Sequence, residues 1–247
     1  REVDILRRLK PFCDSHFKCV QDVFQDDTFW YVITSYDDQL VNLQSVLTTS
    51  TNLSPSLWKT IIGELVQALR ILHTHHIVHR DLKPENILVN CTQGLVRYID
   101  YGISCHADEC RSTLQSGTPL FMAPEIYLPT DNLDFTFEDY RAADLWALGI
   151  TIVALLRNGQ HVFHQWYTPY RNSLVAAKDS LLARSATTQH FEIYRRFLQQ
   201  YRFGKGPSMD TITFDLESER QFRLLFPNHS LLCFLHSDPR QRTLPTF

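Results

Sequence analysis

Apolar positions recur along this chain in two rhythms, and the alternation between them lays out its elements. From Arg1 to Lys10, Val3, Leu6 and Leu9 fall on one helical face with charges elsewhere, which predicts an amphipathic helix ended by Pro11. Phe17 to Phe24 and Phe29 to Ser35 are instead rich in aromatic and β-branched residues. With the turn-like Gln25-Asp26-Asp27 between them, they predict a hairpin. Ser54-Pro55 then supplies an N-cap and a proline for the first helical position, and Trp58, Ile61, Leu65, Leu69 and Leu72 follow at helical spacing.

A second hairpin is predicted from Ile87-Leu88-Val89 and Leu95 to Ile99, turned at Cys91 to Gly94. Arg141 to Arg157 is apolar on all sides after its beginning. It is shorter than the roughly 20 residues of a membrane span and carries Asp144, so it reads as a central buried helix. Beyond Asn158 helical patterns run from Leu174 to Ala183, Phe191 to Phe203 and Arg220 to Phe226, and Leu231 to Leu235 resumes a core helix. The class is α+β, with no internal repeat.

The 44% hydrophobic content of the 247 residues is enough for a substantial core. A net charge of -3, with no run of five basic residues, argues against nucleic acid as a partner. The six cysteines, at 13, 19, 91, 105, 110 and 233, form no C-x-x-C pair, which predicts reduced thiols in an intracellular protein. Cys105 and Cys110 lie in an expected loop, where oxidation is the competing reading. No signal peptide is visible, and the absence of an initiator methionine suggests a piece of a longer chain.

Chemistry concentrates in His79-Arg80-Asp81-Leu82-Lys83-Pro84-Glu85-Asn86 and, after the second hairpin, Asp100-Tyr101-Gly102. Phosphoryl transfer to a hydroxyl needs a carboxylate near the attacking oxygen, a cation against the phosphate and oxygen ligands for Mg²⁺. Asp81, Lys83, and the pair Asn86 and Asp100 offer these in one short span. Four histidines at 73, 75, 76 and 79 invite a metal reading, but no two form H-E-x-x-H and no cysteine lies close by. They read as structural.

The match to H-R-D-L-x-x-x-N followed by D-F-G, altered only by Tyr101, resembles the eukaryotic protein kinases. Lys83, and Gly117-Thr118-Pro119 ahead of Ala123-Pro124-Glu125, resemble the serine/threonine branch. The resemblance implies a bilobal kinase-like fold with 1–36 as a remnant of the N-lobe and 40–247 as the C-lobe. It implies ATP and Mg²⁺ as cofactors, with Asn86 and Asp100 holding the metal and a protein serine or threonine as substrate. Asp81, Lys83, Asn86 and Thr118 become the catalytic set, Thr118 by hydrogen bonds to Asp81 and Lys83. Tyr36 to Gln39 becomes the adenine hinge, Thr34 guards the pocket behind it, and Thr34, Ser35 and Asp37 join Glu2 as nucleotide-binding residues.

By the same resemblance Asp144 anchors the catalytic loop, Glu125 pairs with Arg242, and Tyr101 packs on Leu6 and His79. The polar segment from Gly102 to Ala123 becomes an activation segment in which a phosphate on Ser112, Thr113 or Ser116 could pair with Arg80. No G-x-G-x-x-G strand pair and no V-A-I-K lysine is found, so the upstream strands are expected outside this sequence, and this exact chain alone is expected to bind Mg-ATP weakly, to be inactive and to be poorly soluble. The competing reading is a kinase-like scaffold that recognises a partner through 158–229, where Arg195, Arg196, Arg202 and Lys205 could form a docking face.

Overall fold

The computed structural model describes residues 2–13, 15–18, 20–49, 53–110, 117–128, 134–159, 172, 175–177, 179, 192–196, 198, 216–236 and 238–247. Helix α1 (Glu2–Leu9) buries Ile5, Leu6 and Leu9, and its acidic first turn and basic last turn complement the helix dipole. Pro11 lies in the 3₁₀ turn Lys10–Phe12 that closes it. Strands β1 (Val20–Gln25) and β2 (Trp30–Thr34) pair antiparallel from Val20 opposite Thr34 to Gln25 opposite Trp30. The turn is built by Asp26, whose Oδ1 accepts from the amides of Thr28 and Phe29, both at 2.7 Å. The first hairpin is therefore as the residue pattern predicts.

Strand β3 (Leu40–Asn42) and helix α2 (Leu43–Thr48) follow, neither of which the pattern announced. Asn42 ends the strand and caps the helix, accepting from the Gln44 amide at 3.0 Å. The strand exists because it pairs with β5 (Ile87–Asn90), which also pairs with β6 (Val96–Tyr98), so the second hairpin is part of a three-stranded sheet ordered β3-β5-β6. Helix α3 (Pro55–Thr74) begins as expected, with Ser54 Oγ accepting from the Leu57 amide.

A second pairing, β4 (Ile77–Val78) with β7 (Cys105–His106), brackets the chemistry-bearing segments. Short helix α4 (Pro124–Tyr127) leads to α5 (Phe137–Leu156), which is capped by a reciprocal Thr136–Asp139 box and buried along most of its length. Helix α7 (Leu232–Leu235), which follows α6 (Leu216–Leu225), crosses α5 so closely that a Cβ on Gly149 would stand 2.7 Å from side-chain atoms of Phe234 and Leu235. That contact needs glycine. Of the helical patterns beyond Asn158, those at 174–183 and 191–203 fall largely outside the described residues.

The expectation of reduced thiols is corrected by the structure. Cys105 and Cys110 are joined in a disulfide with a Cα separation of 5.4 Å, and Cys13 is disulfide-bonded as well. The 3₁₀ turn Ala107–Glu109 folds the chain back on itself, which a C-x₄-C spacing does not reveal. Cys91 and Cys233 are free, and burial pushes the Cys233 thiol up to about 12.

Candidate active site

The loop after β4 takes its shape from α5. Asp144, buried in that helix, accepts from the backbone amides of His79 and Arg80, each at 2.8 Å, and contacts His73 Nε2 at 3.2 Å. Arg80 is held with φ at +71°, a left-handed conformation that costs a non-glycine residue about 1–2 kcal/mol and persists only where surroundings fix it. The anchoring role expected of Asp144 is what the geometry shows. His73 shares it, a residue that sequence reasoning left among ordinary histidines.

Asp81 then stands at the centre of a closed set of contacts. Its Oδ1 accepts from both the amide (2.8 Å) and the hydroxyl (2.7 Å) of Thr118. Its Oδ2 lies 3.0 Å from Lys83 Nζ and accepts from Asn86 Nδ2 at 3.1 Å. Asn86 also donates to the Asp81 carbonyl at 2.9 Å, and Lys83 donates to the Thr118 hydroxyl at 2.6 Å. The four residues expected to act together are thus brought into one cluster. Gly117 makes the approach possible: its φ is +121°, and a Cβ there would stand 2.7 Å from the Arg80 carbonyl oxygen.

Burial alone would raise the Asp81 pKa. The hydrogen bonds from Thr118 and Lys83, with the charge of Lys83, outweigh that and hold the carboxyl below its usual range. Asp81 is therefore ionised at neutral pH. His79 goes the other way for a base: full burial pushes its pKa down against the pull of Asp144. Its Nε2 lies 3.0 Å from the Ile99 carbonyl and its Nδ1 faces the Asp81 amide at 3.4 Å, a neutral ring with one donor and one acceptor used.

Asp100 follows β6 with φ at +65°, exposed, one carboxylate oxygen accepting from the Gly102 amide at 3.3 Å. The Ile99 amide donates to the Asn86 carbonyl at 3.0 Å, so the two oxygen-bearing side chains are set on adjoining backbone. Asn86 spends its amide hydrogens on Asp81, which leaves Oδ1 to offer a cation, and Asp100 is ionisable and open. Two hard oxygen donors of this kind fit Mg²⁺. Tyr101 is buried, its ring 5.2 Å from that of His79 and its hydroxyl donating to the Tyr98 carbonyl at 3.1 Å, so the added hydroxyl is satisfied.

The remaining expected residues are carried by the start of α1, the end of β2 and the connection from β2 to β3. Glu2 is exposed at the start of α1. Thr34 is half-buried at the end of β2, opposite Val20, and Ser35 is the half-buried residue after it. Asp37 turns its carboxylate onto Arg97, 3.5 Å away, and accepts from the Gln39 amide, which makes it a pin between the connection and β6. Arg97 gave no signal in the sequence because its partner lies far from it in the chain.

Below the cluster, Glu125 and Arg242 form the bidentate pair expected, at 2.5 and 2.9 Å, and Arg242 donates also to the carbonyls of Ala142 and His236. Of the basic residues considered for docking, Arg196 pairs with Asp179 at 3.1 Å and Arg195 with Glu192 at 3.8 Å, while Arg202 and Lys205 lie outside the described residues. Among the described residues no helix is long and apolar enough to cross a membrane.

Residues 1–213 match the protein kinase domain family. The serine/threonine-protein kinase ksp1 of Schizosaccharomyces pombe is 31% identical over 164 residues, which cover 63% of this chain and 34% of that protein. The phosphorylase b kinase gamma catalytic chain, liver/testis isoform, of Rattus norvegicus is 32% identical over 167 residues, 67% of this chain and 40% of that one. The chain therefore spans well under half the length of these relatives. In the crystal structure of the yeast RNA Pol II CTD kinase CTDK-1 complex, a 23% identical chain superposes with a TM-score of 0.53 over 65% of this chain and 51% of its own, a likeness of fold.

Proposed function

As this chain belongs to the protein kinase family, we propose that it carries the catalytic lobe of a serine/threonine protein kinase, which transfers the terminal phosphoryl group of ATP to a protein hydroxyl. The observation that carries this reading is the closed contact set of Asp81, Lys83, Asn86 and Thr118. A polar cluster of this kind has no structural need for an ionised carboxylate at its centre.

In this reading residues 1–36 form part of the nucleotide lobe and 40–247 the helical lobe. Asp81 orients the substrate hydroxyl and accepts its proton. A carboxylate held below its usual range is a weak base, which suits a loose transition state where the hydroxyl loses its proton late. The Lys83 ammonium has three donors, of which Asp81 and Thr118 take two, and the third is available for a phosphoryl oxygen. Thr118 passes its one hydroxyl hydrogen to Asp81 while receiving Lys83, and so fixes the two against each other.

Asn86 and Asp100 would hold Mg²⁺, which when bound neutralises charge on the phosphates. Thr34, Ser35 and the backbone of Tyr36 to Gln39 would border the adenine, with Asp37 acting through Arg97 to fix that connection. Glu2 would meet a cation from the phosphate-binding strand. The use of ATP would place the chain inside the cell, a reading that no longer draws on reduced thiols, since Cys105 and Cys110 are bonded.

The test is phosphotransfer from ATP to serine and threonine peptides by the longest natural chain that contains these residues. Asp81→Asn is expected to lower the rate by about 10²–10⁴. Equal transfer by both proteins would sink the reading and leave a kinase-like binding module.

A further inference from the structure

The kinase resemblance makes Arg80 the residue that would hold an added phosphate on the following segment, yet its guanidinium already meets Tyr140 and the Ile103 carbonyl. Nη2 donates to the Tyr140 hydroxyl at 3.2 Å, Nη1 donates to the Ile103 carbonyl at 3.2 Å, and the guanidinium carbon lies 4.1 Å from the centre of the Tyr140 ring. Tyr140 is itself buried and packed against Phe135, with ring centres 5.8 Å apart.

Tyr140 stands one helical turn before Asp144 on α5, so the two project from the same face. One grips the side chain of Arg80 and the other its backbone amide. The grip extends forward. Ile103 is tied through Arg80, and the next residue, Ser104, donates from Oγ to the His79 carbonyl at 3.0 Å. The start of the segment that follows Asp100 is therefore fastened to the loop bearing Asp81 by the chain's own side chains and carbonyls.

We propose that Tyr140 is a positioning residue for phosphoryl transfer: its ring and hydroxyl hold Arg80, and through it the Asp81 loop, without phosphorylation of Ser112, Thr113 or Ser116. A cation over a buried aromatic face and a hydrogen bond from a charged donor each contribute enough to hold a loop in place. The proposal rests on the kinase reading, and its test separates the two.

In the longest natural chain, kcat and KM are measured for Tyr140→Phe, which keeps the ring, for Tyr140→Leu, which removes both contacts, and for a triple alanine variant at 112, 113 and 116. The expected result is a kcat lowered about tenfold in the phenylalanine variant and about a hundredfold in the leucine variant, with KM for ATP within about twofold. The triple variant should keep its kcat within about twofold. Full kcat in Tyr140→Leu, or a loss of more than about tenfold in the triple variant, overturns the proposal.

Should the unsubstituted chain transfer no phosphate, the kinase reading is the one that fails. Amide hydrogen exchange then still decides about Tyr140. The Ser104 and Ala107 amides, bonded to the carbonyls of Tyr101 and His76, are expected to exchange at least about tenfold faster in Tyr140→Leu. Unchanged exchange at both would overturn the grip itself.

Discussion

The loop around Asp81 and the hairpin of β1 and β2 are both short and both invert the usual placement of side chains, the loop by burying polar groups and the hairpin by exposing apolar ones. Around Asp81 the polar groups close on one another: Asp144 takes two amides, Thr118 and Lys83 take the carboxylate, and Asn86 ties both. On the hairpin the large side chains face outward, with Phe29 62% and Trp30 64% exposed and Phe24 stacked on Tyr31 at 4.8 Å. Order in the loop comes from buried hydrogen bonds. In the hairpin it comes from the strand pairing and from Asp26 in the turn, with only Val20 and Val32 packed against the core.

Removing the anchor should break the contrast most severely. Asp144→Ala leaves the His79 and Arg80 amides without acceptors in a buried site, and relief of the strained Arg80 backbone offsets only part of that, so a loss of about 3–5 kcal/mol is expected from urea unfolding. A loss below about 1 kcal/mol would mean that the loop keeps its shape through sheet pairing alone, as the hairpin does.

Acid should act on the same region with a smaller effect. The folded-state pKa of His79 is depressed by burial, so the unfolded chain binds its proton more readily. The contribution of the neutral ring is complete above the ordinary histidine value of about 6.5 and is lost as pH falls below it towards the depressed folded value. Asp81 works in the same sense at lower pH: its stabilisation is present above the ordinary carboxylate range and fades as pH falls through its lowered folded pKa. Thermal unfolding followed from pH 8 down to pH 5 (about three units) should show the midpoint fall, and His79→Gln should flatten that fall. An unchanged slope in the variant would show that the titration belongs elsewhere.

What the sequence made legible is what depends on local pattern or on dense motif spacing. The first hairpin, the Ser54 cap, the long helices and the Asp81, Lys83, Asn86 and Thr118 set are of this kind. What it hid are partnerships made across the chain. Strand β3 is three residues long and exists by pairing with β5, Arg97 meets Asp37 from another strand, and Tyr140 reaches Arg80 from α5. The Cys105–Cys110 bond is local, yet in sequence it stands only as the competing reading, because a 3₁₀ turn of Ala107–Glu109 leaves no marked signature there.

The gentlest way to probe the comparison is to change the hairpin on its exposed face, where Phe29 meets only the edge of the Tyr31 ring, 6.5 Å away between centres. Phe29 and Ile33 point outward with Tyr31 between them, at 62% and 42% exposure. Phe29→Ser with Ile33→Thr keeps a β-branched residue in the strand and leaves the Asp26 turn and the Val20 and Val32 contacts in place. Unfolding free energy should therefore move by no more than about 0.5 kcal/mol per site. Association should move further, because a contiguous exposed aromatic face beside an open strand edge draws chains together. Light scattering across a concentration series is expected to place the onset of self-association of the double variant higher than that of the unsubstituted chain. Were the onset unchanged and the stability lower by more than about 1 kcal/mol, the outward face would be part of the fold, and the hairpin would have to be counted with the Asp81 loop as a packed element.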